Sequence, residues 1–230
     1  MDPGGFDPAS FSGRVPLFPL PNVVLFPYAA VPLHIFELRY RAMMRAALEG
    51  ERLIAMALLK PGYEKDYAGN PPVHDVVGLG RILEHQALPD GRYDLILWGV
   101  ARARILEVVG SDPYRTARVE VLEDLPAGGD TYERRRRLLL AFYADRLRGL
   151  QAQGAPVALP PEDVPLGLLC DLILHLLPLS PPEKQSFLGE TGVAVRCDRL
   201  LELLERARDS RGGPAAQASK RDWPPRPTPN

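Results

Sequence analysis

No Gly-Lys pair occurs anywhere in these 230 residues. A phosphate loop of the form G-x-x-x-x-G-K-[ST] requires one, because backbone N–H groups cradle the phosphates while the lysine reaches the β- and γ-phosphates. That absence excludes ATPase chemistry of this type from the chain, and Gly78, Gly80 and Gly99 read as turn or close-packing positions in strands. Cysteine is almost missing as well. Cys170 and Cys197 form no CxxC and no zinc spacing, and both fall in apolar helical patterns, as reduced, buried thiols of a cytosolic protein do. Lysine is scarce: Lys60, Lys65, Lys184 and Lys220 are the only ones among 28 basic side chains. A Ser-Lys protease needs a serine next to a desolvated lysine. Lys184 and Ser186 stand two apart on one helix and so point in different directions. The four histidines, His34, His74, His85 and His175, are scattered, and Cys170 with His175 five residues on is a poor zinc spacing. No catalytic residue, no metal and no cofactor is expected.

An excess of either charge is missing too. With 28 basic and 29 acidic side chains the formal net charge is −1, which gives no long-range pull toward nucleic acid or an anionic membrane. Long apolar runs are absent: the most apolar stretch, Leu166–Leu179, is short and carries Asp171 and His175, whereas a spanning helix needs about 20 apolar residues. The start, MDPGGFDPASF, has neither a basic region nor an apolar one behind it, so no secretory signal is expected. These features together predict a cytoplasmic protein with no membrane partner.

What is present is globular in proportion, 46% apolar and 25% charged, enough for a buried core. From Val15 to about Leu125 short Val-, Ile- and Leu-rich runs alternate with Pro, Gly and Asp-Gly turn signals. Val15–Leu20 and Val23–Phe26 are two such runs, and Pro32–Ile35 is another. Phe36–Leu48 switches to helical spacing, with Phe36, Tyr40, Met43, Met44 and Ala47 on one side. Leu53–Leu59 is apolar throughout, as a strand covered on both faces must be. Asp75–Leu88 and Gly91–Leu106 pair through Pro89-Asp90-Gly91, where glycine supplies positive φ, and Tyr114–Leu122 alternates as a last strand. At least six short strands in about 110 residues predict a small barrel or sandwich.

After Pro126-Ala-Gly-Gly129 the period becomes helical. Tyr132–Leu150, Leu166–Leu177, a short helix opened by the capping box Ser180-Pro-Pro-Glu183, and Ala194–Arg208 follow. The expected organisation is a flexible start at 1–13, a β part at 14–127, a helical part at 128–209 and a disordered Pro- and Arg-rich tail at 210–230.

Residues 15–40, VPLFPLPNVVLFPYAAVPLHIFELRY, resemble the opening of the Lon N-terminal substrate-binding domain, with its LPL, FP and IFE-x-RY steps. Gly78-Leu-Gly-Arg-Ile82, the hairpin DGRYDLILWGVARARI at 90–105, Pro113-Tyr114-Arg115, LPLSPPEKQSFL at 177–188 and the terminal DRLLELLERA continue the likeness in order over residues 15–208. Trp98 departs from the pattern, standing where Lon-type chains often carry Glu before the glycine. The resemblance implies an α+β protein, a PUA-like β-barrel followed by an α-helical bundle. It also implies binding of unfolded or partly folded protein segments, with a separate protease or a chaperone as a further partner and no catalysis.

Exposed aromatics on loops and strands make anchors for peptides, and Phe36, Tyr40, Tyr63, Tyr67 and Trp98 are the candidate contacts. The bland account, barrel caps and core packing, fits each of them too. Arg134, Arg135, Arg136 and Arg137 form a basic run that would serve RNA binding in an alternative function, since PUA-like barrels include RNA binders. Without aromatic interleaving, a solvated helix face explains the run more simply. Within FELRY, Glu37 and Arg39 suit a helix start, with Arg41 or Arg45 as ion-pair partners of Glu37.

Overall fold

In the computed structural model, which describes residues 6–66, 69–128, 131–151 and 164–209, six strands precede most of the helix. The strands are β1 (Arg14–Leu20), β2 (Ala30–Ile35), β3 (Leu53–Leu58), β4 (Val76–Ala87), β5 (Tyr93–Gly110) and β6 (Thr116–Leu122), with helix α1 (Leu38–Glu49) between β2 and β3. Their neighbour order is β2-β5-β4-β3-β1-β6, and a second pairing, β5 with β6, closes the ring. Five strands therefore form a barrel, and β2 is an added strand lying against Tyr93–Trp98 of the long β5. β1 and β3 are parallel, and α1 lies in the crossover that parallel neighbours require. The architecture is α+β with the strand-rich part first, as the resemblance implied, and of the barrel and the sandwich that the strand pattern left open it is the barrel.

Alternation decides what fills the barrel. Every second residue of β1, β3, β4 and β6 points inward, so Val15, Leu17, Leu53, Ala55, Ala57, Val77, Leu79, Ala117 and Val119 join Ala103 of β5 in one buried cluster. Four of these are alanines, which suits the narrow lumen of a five-stranded ring. The other face of β3, with Ile54, Met56 and Leu58, belongs to the second and larger cluster with Tyr40, Met43 and Met44 of α1. Leu53–Leu58 is buried at all six positions for that reason.

Two expectations need correction. Val23–Phe26 is not a strand: it is an irregular segment whose Val24, Leu25 and Phe26 are buried. It lies directly on β4 and β5, where a Cβ built on Gly78 would fall on the Leu25 carbonyl and one on Gly99 on the Phe26 carbonyl. Glycine is used at 78 and 99 to let a backbone cross the sheet at contact distance. The segment is apolar because it is buried, and its run has the length of a strand, so pattern alone does not separate the two. The second correction is Phe36. The helix starts at Leu38, and Phe36 is 61% exposed, off the face that buries Tyr40, Met43, Met44 and Ala47.

Helices α2 (Thr131–Gln151), α3 (Leu166–Leu176), α4 (Pro181–Leu188) and α5 (Val193–Asp209) follow. Leu139, Tyr143 and Leu147 of α2, Leu169, Ile173 and Leu174 of α3, and Cys197 and Leu200 of α5 share the large cluster with the sheet's outer face. The capping box opens α4, Ser180 N–H donating to Glu183 Oε2 at 2.8 Å. Cys170 and Cys197 are free and fully buried on α3 and α5. A hydrogen bond with Cys197, reinforced by burial, pushes the Cys170 thiol far up from its ordinary range, the opposite of what a reactive thiolate needs. Residues 6–13 lie along the barrel, with Phe6 and Phe11 edge to face at 5.7 Å and packed against its cluster. Among the described residues no helix is long and apolar enough to cross a membrane.

Candidate functional site

The nominated aromatics occupy three different environments. Phe36 is exposed and stacks on His34, ring centroids 6.2 Å apart. Tyr40 is 5% exposed, packed edge-on to Phe18 at 4.7 Å in the core. Trp98 is half-buried on β5 and edge-on to Tyr28 at 6.4 Å, and its Nε1 has no hydrogen-bond partner among the described residues. Tyr63 is half-buried in a single 3-10 turn, Tyr63–Asp66. Tyr67 lies outside the described residues, as do residues 1–5 and the 210–230 tail.

Phe36 and Trp98 belong to one surface built on β2. That strand pairs with β5 alone, so its other edge is open among the described strands. Pro32 sits in it, and a residue with no N–H is tolerated in just such an edge strand. Cross-strand partners share a face, which puts the rows His34–Asp94–Gln86, Pro32–Ile96–Glu84 and Ala30–Trp98–Arg81 outward. His34 Nδ1 donates to Asp94 Oδ1 at 2.6 Å, and Arg92 Nη1 donates to its Nε2 at 3.1 Å. The ring is thereby fixed with its proton on Nδ1, flat against Phe36. Pro32, Leu33, His34, Glu84, His85, Gln86, Asp94, Leu95 and Ile96 line a depression of about 730 Å³. Ile96, 36% exposed, lines it, and Phe36, 61% exposed, stands beside it on His34.

A second concavity, about 520 Å³, opens between the barrel and the helices. Its walls are Pro27, Tyr28, Val100, Leu122, Pro126, Tyr132, Pro165, Leu166 and Val193, and its floor is charged. There Arg102 of β5 donates through Nη2 to both carboxylate oxygens of Asp171 of α3 at 2.9 Å, and through Nε to the Leu188 carbonyl at 3.1 Å. Arg196 of α5 donates to Asp124 at 3.1 Å and to the Glu190 carbonyl at 2.5 Å; its Nε lies 3.3 Å from Asp171, too poorly aligned for a hydrogen bond. Arg102 pairs with Asp124 as well. Burial pushes the Asp171 carboxyl up to about 6, against the pull of Arg102 and Arg196. Gly167 permits the approach: a Cβ there would run into Asp124 and Arg196. The network ties barrel to helices, and its one partly open member is Asp124.

No pattern search for enzymes finds this network, but one signal was in view. Asp171 interrupts the most apolar stretch of the chain, and a carboxylate there must be buried with partners. The position of those partners, 69 and 25 residues away, is decided only by the fold.

The remaining candidates are dispersed. Ser186 Oγ donates to the Glu183 carbonyl at 2.9 Å and accepts from Arg199, while Lys184 Nζ donates to the His175 carbonyl at 2.8 Å; they form no nucleophile–base pair. Glu37 pairs with Arg39 at 2.9 Å and not with Arg41 or Arg45. The four arginines of α2 do not share a face, since successive residues turn by about 100°. Arg135 pairs with Asp198 at 2.6 Å and Arg136 donates to the Val164 carbonyl at 3.1 Å, leaving Arg134 and Arg137 exposed.

The family model described as ATP-dependent protease La (LON) substrate-binding domain matches residues 14–206. The chain is 28% identical over 197 residues to a Lon protease of Anaeromyxobacter dehalogenans, covering 85% of this chain and 23% of the relative. It is 26% identical over 209 residues to Lon protease 2 of Myxococcus xanthus, covering 90% and 25%. The chain thus spans about a quarter of the length of these curated relatives. Among solved structures, a Lon N-terminal domain protein from Xanthomonas campestris superposes with a TM-score of 0.60 at 23% identity, covering 82% of this chain and 97% of that one. The N-terminal domain of a Mycobacterium avium complex Lon protease gives 0.58 at 19% identity.

Proposed function

From the premise that the chain belongs to the Lon substrate-binding domain family, we propose that it binds unfolded or partly folded protein segments on the β2 surface and carries out no reaction itself. The observation that carries this is the open edge of β2 among the described strands, beside the exposed Phe36 and Ile96, with the exposed Leu38 three residues beyond the end of the strand. An extended segment adds to a free strand edge through main-chain hydrogen bonds, and apolar side chains of the segment settle on the neighbouring apolar residues. Such recognition is sequence-tolerant, as capture of many unfolded clients requires. Trp98, on the same outward face, is the contact that adjusts which side chains are accepted. The barrel at 14–127 supplies the surface and the helical part at 128–209 braces it. The setting that fits is the cytoplasm, with clients passed to, or withheld from, a separate protease or chaperone. A role in RNA binding has little to stand on, because α2 divides its arginines between faces.

The test is fluorescence anisotropy of a labelled, permanently unfolded protein titrated with the full chain. Binding that saturates, and that falls at least tenfold in Phe36→Asp/Leu38→Asp, is expected. Equal binding by an unrelated acidic protein, or no effect of the double substitution, would sink the idea.

A further inference from the structure

The cleft between barrel and helices is built differently from the β2 surface, and the chain itself carries a segment of matching chemistry. We propose that the cleft is a docking site for the chain's own Pro-rich C-terminal segment, Trp223–Asn230, which folds back onto it in the same molecule. The inference stands whether or not the β2 surface takes clients.

The walls make the first argument. Pro27, Tyr28, Pro126, Tyr132, Pro165 and Leu166 line the cleft, and grooves of rigid aromatic and apolar side chains are what polyproline II segments dock into. Such a segment is already extended before binding, so its ordering costs little. The volume, about 520 Å³, falls in the range of roughly 300–1,000 Å³ usual for ligand clefts. The segment WPPRPTPN has four prolines in eight residues, with Trp223 as the large anchor side chain.

Charge makes the second. Residues 210–230 carry Arg211, Lys220, Arg221 and Arg226 against the single acid Asp222. In the buried network the guanidiniums are covered, Arg102 at 3% and Arg196 at 0%, whereas the Asp124 carboxylate is 30% exposed. What the network presents to the cleft is thus a carboxylate, next to the exposed Glu123. Arg226, between Pro225 and Pro227, is the residue to meet it.

Reach makes the third. Val193, the first residue of α5, lines the cleft, and α5 ends at Asp209. Seventeen helical residues span about 26 Å. The thirteen residues 210–222 extend to about 43 Å, enough to run back along α5 and bring Trp223 to the cleft.

The experiment places a photo-reactive benzoyl-phenylalanine at position 223 of the full chain and maps the crosslinks by mass spectrometry after irradiation. Crosslinks within one molecule to the peptides containing 27–28, 126–132 and 165–168, unchanged on dilution, are expected. Pro224→Ser/Pro225→Ser/Pro227→Ser, which leaves the folded part untouched, should abolish them. Crosslinks elsewhere on the surface, none at all, or only between two copies would each overturn the proposal, the last by making the cleft an interface in trans. Insensitivity to the proline substitutions would overturn it as well.

Discussion

Arg102 on β5 and Asp171 on α3 lie 69 residues apart in sequence and 2.9 Å apart in space, both almost completely buried. Their pairing, shared with Asp124 and Arg196, is where the barrel and the helices are held together by charge as well as by apolar packing.

Removing one member leaves a buried charge without its partner. Asp171→Leu should therefore destabilise the protein by about 3–5 kcal/mol in denaturant unfolding. Arg102→Met added to it should recover part of that loss, because the second change removes an orphaned guanidinium. A strictly additive double variant would show that the two residues are not coupled.

Gly99→Ala and Gly78→Ala place a methyl group on the Phe26 and Leu25 carbonyls. Backbone cannot give way as a side-chain tip does, and each change should cost about 3 kcal/mol or more, at the upper end of overpacking. Gly110→Ala, where a Cβ meets nothing within 4 Å, should be nearly neutral, and thermal unfolding of the three variants tests the contrast.

Burial, helped by the charge of Lys184, pushes the His175 imidazole down to about 4. In the unfolded chain it takes up its proton near 6.5, so the native state binds fewer protons between about pH 4 and 6.5. The stability linked to His175 is present above that window and is lost as pH falls through it. Relative to His175→Gln, the native protein should lose about 2–3 kcal/mol between pH 7 and 4.5. Asp171 titrates in part of this range with the opposite sign, so the difference between the two proteins, not the slope of either, is the measurement.

Ser180→Ala removes half of the capping box at the start of α4. A loss of about 1 kcal/mol is expected, with faster amide exchange confined to α4 and the Gln185 side-chain bond to the Val76 carbonyl as the local readout.

Much of the fold was legible along the chain. The unbroken apolar run of β3, the alternation in β6, the turn at Pro89-Asp90-Gly91 and the Ser180 capping box each rest on neighbours a few residues away, and each is found where its signal stands. Val23–Phe26 was misread because burial, not strand pairing, makes it apolar. Phe36 fits the helical spacing by chance, because it stands two residues before the helix starts, ahead of the extended N-cap Glu37, where the 3.6-residue period does not apply. The candidate site was legible only in pieces: Phe36 follows one end of β2 and Trp98 pairs with Ala30 at the other, while Tyr40 went to the core.

The sequence by itself determined the family, the order of strands and helices, and which residues are apolar enough to be buried, since these depend on local period and composition. The tertiary structure alone decided where the surfaces are. Ring closure between β5 and β6 left β2 as the open edge, and docking of α3 and α5 on the barrel brought Arg102, Asp124, Asp171 and Arg196 together under a cleft. The physical reason is distance along the chain: such contacts join residues tens of positions apart, and no local preference encodes which of them will meet.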